Sequence, residues 1–196
     1  MSVDYYQQQA EPFYRSTINV DMTPLYQRFL PYITEGGSIV DAGCGSGRDS
    51  LYFANLGFKV TAFDASPELV KLAQQHTGLP VSVNRFEQFI ATEPVDAIWA
   101  CASLLHVPRA ELNLVLAHLT AQLKTAGVFY CSFKYGQDDV SREGRHFTNL
   151  DEAGFGELIK DLPLSVIEQW QTGDLRPGRE HERWLNVICK KEVRKA

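Results

Sequence analysis

Basic runs, long apolar runs and paired cysteines are all missing from this chain, and each absence removes a class of function. No apolar stretch in the 196 residues approaches the roughly 18 that a membrane span needs, so no membrane partner is expected. The opening MSVDYYQQQAEPFY has no basic segment leading into an apolar one, so it does not read as a secretory signal. Cys44, Cys101, Cys131 and Cys189 stand far apart with no C-x-x-C pair. That spacing favours reduced thiols in a cytoplasmic protein over a disulfide framework, and no metal site is expected. The formal net charge is −5, and no segment is strongly basic, so nucleic acid is not an expected partner.

What is present is an alternation. Short β-branched or apolar runs lie from Ser38 to Asp41, Lys59 to Asp64, Val81 to Asn84, Val95 to Ala100 and Gly127 to Phe133. Helical patterns separate most of them: Arg48 to Leu56, a helix capped by Ser66 with Pro67 first, and Pro108 to Leu123. A further helix opens near Asp151. Two last strands, Ser165 to Trp170 and Trp184 to Cys189, are joined by the polar loop TGDLRPGREHE and are expected as antiparallel neighbours with both tryptophans in their core. The expected fold class is α/β: a Rossmann-like, doubly wound seven-stranded sheet, mostly parallel with an antiparallel last strand, and an N-terminal helical cap. We read residues 1–196 as one domain, with 1–32 as cap or lid, 38–133 as core and 134–196 as substrate-side loops and the terminal strand pair. In such a sheet ligands lie beyond the carboxyl ends of the strands.

The loop from Asp41 to Gly47 reads D-x-G-x-G-x-G. A dinucleotide fingerprint beginning at Gly43 needs a glycine where Arg48 stands, and a phosphate-binding P-loop needs a lysine followed by Ser or Thr after Gly47. Neither is present. An acid at the head of the loop repels phosphate and attracts ammonium. Asp64 ends the second strand, where a carboxylate accepts hydrogen bonds from both ribose hydroxyls. The site therefore suits a nucleoside with a diol, a cationic amine and no phosphate.

Asp41, Gly43, Gly45, Gly47 and Asp64, on this order of strands, resemble the class I S-adenosylmethionine-dependent methyltransferases. DAGCGSGRDSLYFANLGFKVTAFDAS is similar to the small bacterial tellurite-resistance-type and ubiquinone-methylase-type members. The resemblance implies S-adenosylmethionine as cofactor and S-adenosylhomocysteine as product. It places Asp41 on the methionyl amine, Gly43, Cys44, Gly45 and Gly47 under the cofactor, and Asp64 on the ribose. Ala65, Ser66, Phe86 and Glu87 fall beside the adenine, Ala100 faces the methionyl part, and Tyr14 closes over the cofactor carboxylate. The stretch Asn84-Arg85-Phe86-Glu87 departs from the aspartate that many members carry there.

Methyl transfer asks the protein chiefly for position and a cavity. His106 is the candidate base and Lys134 a second catalytic candidate, both at strand ends; packing at a helix entry is the plainer role for His106. Tyr135, Arg142 and Arg145 are candidate substrate contacts. With Arg176, Arg179 and Arg183 the two arginines form either a pocket for an anion or loop charge balanced by neighbouring acids. Tyr5, Tyr6, Phe13 and Tyr14 form a lid or pack the cap onto the sheet. The expected activity is methyl transfer to a heteroatom of a small molecule, by a monomer or homodimer. The competing readings are an RNA or protein methyltransferase and a non-catalytic S-adenosylmethionine-binding protein.

Overall fold

A computed structural model describes residues 2–176, 178, 179 and 181–193. The strand runs become β1 (Ser38–Ala42), β2 (Lys59–Asp64), β3 (Val81–Val83), β4 (Val95–Ala100) and β5 (Leu123–Lys134). Two further strands, β8 (Leu164–Gly173) and β9 (Arg183–Lys191), complete a seven-stranded sheet of order β3-β2-β1-β4-β5-β9-β8. Every pairing from β3 to β5 is parallel, while β9 runs antiparallel to both of its neighbours. The Rossmann-like sheet with one reversed strand is the expected architecture. Its order turns back between β1 and β4, which is where such sheets bind ligands.

Alternation along the strands divides the core. Ile39, Ala97, Trp99, Val128 and Tyr130 face one side, with Tyr26 and Phe29 of α3 (Thr23–Phe29) and Phe53 of α4 (Arg48–Asn55). Val40, Ile98, Ala100, Phe129 and Cys131 face the other, under α6 (Arg109–Ala121) and α7 (Glu152–Ile159). Trp99 stacks on Tyr130 with centroids 3.9 Å apart, so the first face is an aromatic layer. Helix α5 (Pro67–Thr77) is capped by the Ser66 hydroxyl, which accepts from the Leu69 N–H at 3.3 Å.

Two parts of the chain differ from their sequence reading. The polar segment after β5 folds as a hairpin, β6 (Asp139–Arg142) with β7 (Arg145–Thr148), where loop had been expected. Its two turn residues, Glu143 and Gly144, have φ of 53° and 74°, the positive values a two-residue hairpin requires. Trp170 and Trp184 are half-buried rather than core residues. The N-terminal part forms α1 (Ser2–Gln8) and α2 (Ala10–Thr17), ahead of α3. No helix among the described residues is long and apolar enough to cross a membrane.

Gly43, with φ at +76°, joins β1 to the loop after β4. A Cβ there would lie 2.6 Å from the Ser103 Cβ, and the Ser103 hydroxyl is itself tied to the Ala42 carbonyl at 2.7 Å. Gly43→Ala is therefore expected to cost roughly 1–3 kcal/mol. Gly57→Ala, at φ +87° but with nothing within 4 Å of the added Cβ, should cost less. Urea denaturation of the two variants measures the difference, and equal losses would show that the Ser103 contact yields freely.

Candidate functional site

The turn-back between β1 and β4 opens into a cavity of about 240 Å3. Its floor is the glycine loop. Gly43, Cys44 and Gly45 line it, and the N–H groups of Gly43 and Cys44 donate to the Phe63 carbonyl at 2.9 and 3.0 Å, which pins the loop to β2. Gly47 lies outside the wall. Its left-handed backbone (φ 78°) starts α4, and an added Cβ would meet Thr77 of α5 at 2.8 Å, so it serves helix packing.

Asp64 lines the cavity at the end of β2. Its two carboxylate oxygens accept from the Gly45 N–H at 3.0 Å and the Ser66 N–H at 2.9 Å. Burial raises its pKa, and those backbone donors oppose the rise. Each oxygen keeps a lone pair for a further donor. Ala65, Ser66 and Phe86 stand on the same wall, whereas Glu87 is exposed.

Beneath the loop lies an acid that the sequence reading did not single out. Asp49 accepts from the Tyr26 hydroxyl at 2.6 Å, from Arg48 Nε at 2.6 Å and from Trp99 Nε1 at 2.8 Å. Arg48, whose second nitrogen donates to the other oxygen at 3.1 Å, holds the carboxylate ionised against its burial. Asp49 reaches the cavity wall. Asp41 stands outside that wall, buried, and accepts from the Ser50 hydroxyl at 2.5 Å; burial and the Asp49 charge push its pKa up. Of these two acids it is Asp49 that reaches the cavity wall, with its oxygens already taken by Arg48, Tyr26 and Trp99.

Ala100, fully buried, leaves the next residues, Cys101 and Ala102, at the wall. Ala102 has φ of 50°, a left-handed value unusual for a non-glycine, and its N–H donates to the Ser132 hydroxyl at 2.8 Å. Tyr14 hydrogen-bonds His76 of α5 at 3.2 Å rather than facing the cavity. Phe13, one position earlier and thus rotated by about 100° on the helix, presses on Gly45, where a Cβ would lie 3.1 Å from the ring.

The far end of the cavity holds His106, Lys134, Arg142 and Arg145 together. His106 Nδ1 lies 2.7 Å from the His146 carbonyl, which only accepts, so Nδ1 carries the proton. Nε2 is then the free acceptor, and the Tyr6 hydroxyl donates to it at 2.7 Å. Burial lowers the pKa to about 4; the carbonyl bond opposes this, and the charges of Arg145, His146 and Lys134 add to the lowering. Lys134 pairs with Glu182 at 2.5 Å. Arg176 and Arg179 also line the cavity, Arg176 being held by Asp174. Trp184 is there too, donating to Asp174 at 3.2 Å. Tyr135 is turned outward onto Glu152 at 3.0 Å, and Arg183 sits over its ring.

Helix α1 roofs both ends. Gln7 Oε1 accepts from the Ser66 hydroxyl at 3.0 Å and the Glu68 N–H at 3.2 Å, while Ser2 accepts from the His146 N–H at 3.0 Å.

A family model described as a methyltransferase domain matches residues 39–127. A ubiquinone biosynthesis O-methyltransferase of Paramagnetospirillum magneticum is 38% identical over 100 residues, 48% of this chain and 39% of that protein. The chain thus spans about two fifths of the length of this curated relative. Among solved structures, the 1,6-didemethyltoxoflavin-N1-methyltransferase of Burkholderia thailandensis, with 1,6-didemethyltoxoflavin and S-adenosylhomocysteine bound, superposes with a TM-score of 0.74 at 19% identity, over 98% of this chain and 86% of that one. The magnesium protoporphyrin IX methyltransferase of Synechocystis PCC 6803 with bound S-adenosylhomocysteine gives 0.73 at 16%, over 97% and 98%.

Asp49→Ala should destabilise the protein by about 3–5 kcal/mol, because it leaves Arg48 buried without its partner. Asp41→Asn replaces an acid already driven toward its neutral form and should cost under about 1 kcal/mol. Chemical denaturation of both distinguishes the roles, and the reverse ranking would contradict them.

Proposed function

We propose that this chain, a class I S-adenosylmethionine-dependent methyltransferase by family, moves the methyl group of S-adenosylmethionine to a heteroatom of a small molecule and releases S-adenosylhomocysteine. One observation carries the reading: a single cavity is lined both by a diol-ready carboxylate, Asp64, and by a neutral imidazole, His106, whose acceptor nitrogen is held by Tyr6. The residues present fit the cofactor. Gly45 has no side chain between its backbone and the cavity, and Asp64 retains acceptor capacity.

When bound, S-adenosylmethionine supplies an already activated methyl group. The chain does the rest. In this reading Asp64 accepts from the ribose hydroxyls, with Ala65, Ser66 and Phe86 along the adenine. The backbone of Gly43, Cys44 and Gly45 passes beneath the methionyl end, which lies beside the Arg48-paired Asp49. His106, its tautomer fixed by the His146 carbonyl, takes the acceptor's proton at Nε2 once the Tyr6 hydroxyl has given way. Lys134, Arg142 and Arg145 form the substrate end. Alignment and exclusion of water supply most of the advantage. Four free cysteines are in keeping with a cytoplasmic setting.

Calorimetry with S-adenosylhomocysteine tests the cofactor assignment. The unaltered protein should bind it, and Asp64→Ala should weaken binding about ten- to a hundredfold, the loss expected for hydrogen bonds to a charged group. Absence of binding at millimolar cofactor refutes the reading, and an unchanged affinity in the variant refutes the ribose role.

His106 gives a second test. Its folded pKa of about 4 lies below the ordinary 6.5, so between those values the unfolded chain binds the proton and the folded one does not. Acidification through that window should lower stability, and imidazole resonances should show His106 neutral until near pH 4. A midpoint close to 6.5 would contradict its burial and tautomer.

A further inference from the structure

Arg142 and Arg145 are register partners across the two-residue turn of the β6–β7 hairpin, and both line the cavity. Like charges placed opposite each other destabilise a strand pair. Glu143, exposed on the turn, is the ion-pair partner of both among the described residues, at 3.9 Å from Arg142 and 2.5 Å from Arg145. The other cations of this end differ in this respect: Arg176 is held through two nitrogens by Asp174, and Lys134 is paired with the half-buried Glu182.

Arg145 is the more unusual of the two. Its side chain is only 10% exposed, and its buried Nε has no hydrogen-bond partner among the described residues. Rings hold the guanidinium in place: it lies 4.1 Å over Tyr5 and 5.3 Å from Phe147. A buried charged donor left unfilled is costly. The fork is fixed by stacking, and one of its other nitrogens donates to the exposed Glu143, which a planar two-oxygen acceptor would displace to engage the fork in full. The Arg145 charge reaches His106 and the Tyr6 hydroxyl bonded to it, so an anion on Arg145 lies near the candidate base. Tyr6, Phe147 and Trp184 add aromatic rings to the wall.

Resting on the methyltransferase reading above, we propose that the acceptor is a small aromatic carboxylate, its carboxylate seated on Arg145 with Arg142 beside it. Arg145 is then a specificity-determining residue: it selects the acid over its neutral counterpart and sets the ring against His106. The ligand's charge takes over from Glu143 in offsetting the repulsion between the two arginines.

The test compares 4-hydroxybenzoate with phenol by calorimetry, with and without saturating S-adenosylhomocysteine. The unaltered protein should bind the acid at least about tenfold more tightly than phenol, the scale of a charge-assisted hydrogen bond. Arg145→Gln should erase that preference while leaving S-adenosylhomocysteine affinity unchanged, which also shows that the variant is folded. Arg145→Lys should restore it only in part, since a point charge lacks the fork. Equal binding of acid and phenol, a preference that survives in Arg145→Gln, or no binding of the acid at millimolar concentration overturns the proposal. Sodium selenite binding as tightly as 4-hydroxybenzoate overturns its aromatic half. Because acid binding is also read without cofactor, failure of the carboxylate site is distinguishable from failure of the methyltransferase reading.

Discussion

The Asp49 carboxylate is the point to which the glycine-loop end of this molecule is fastened. It is buried, ionised and surrounded by donors from three elements: Tyr26 of α3, Arg48 of α4 and Trp99 of β4. Removing an ion from water is expensive, and only such a complete set of partners makes it tolerable. Arg48 extends the fastening to the end of α2 by donating to the Thr17 carbonyl at 3.2 Å. The glycine loop therefore rests on a charged knot rather than on apolar packing alone. The aromatic layer of Phe29, Phe53, Trp99 and Tyr130 keeps water from that knot.

The opposite end is organised by backbone. A carbonyl of β7 decides which nitrogen of His106 carries hydrogen, and the hairpin turn decides which arginines face one another. Both are consequences of a short strand pair lying outside the main sheet. The division is common in α/β proteins: the sheet holds what must be rigid, and appended segments carry what varies.

Much of this was legible in the chain. Runs such as KVTAFD and VDAIWA announced strands, Ser66-Pro67 announced a helix start, and Gly43, Gly45 and Asp64 were expected together and line one cavity. What escaped did so for physical reasons. The β6–β7 hairpin is polar, and its turn is Glu-Gly, so neither apolar alternation nor a strong turn pair marked it. Tyr14 was expected over the cavity but bonds His76, while Phe13 lines the cavity; one residue on a helix is a change of face. Ala100 and Cys101 show the same sensitivity at a strand end, where one step separates core from cavity. Asp49 was hidden because its meaning depends on Trp99 and Tyr26, which no local pattern brings near it.

Helix α1 has only seven residues, yet it touches Ser66 at one end of the cavity and His106 and His146 at the other. One short rod thus ties the two ends of the cavity together, so that a shift of α1 alters the surroundings of Ser66 and of His106 at once.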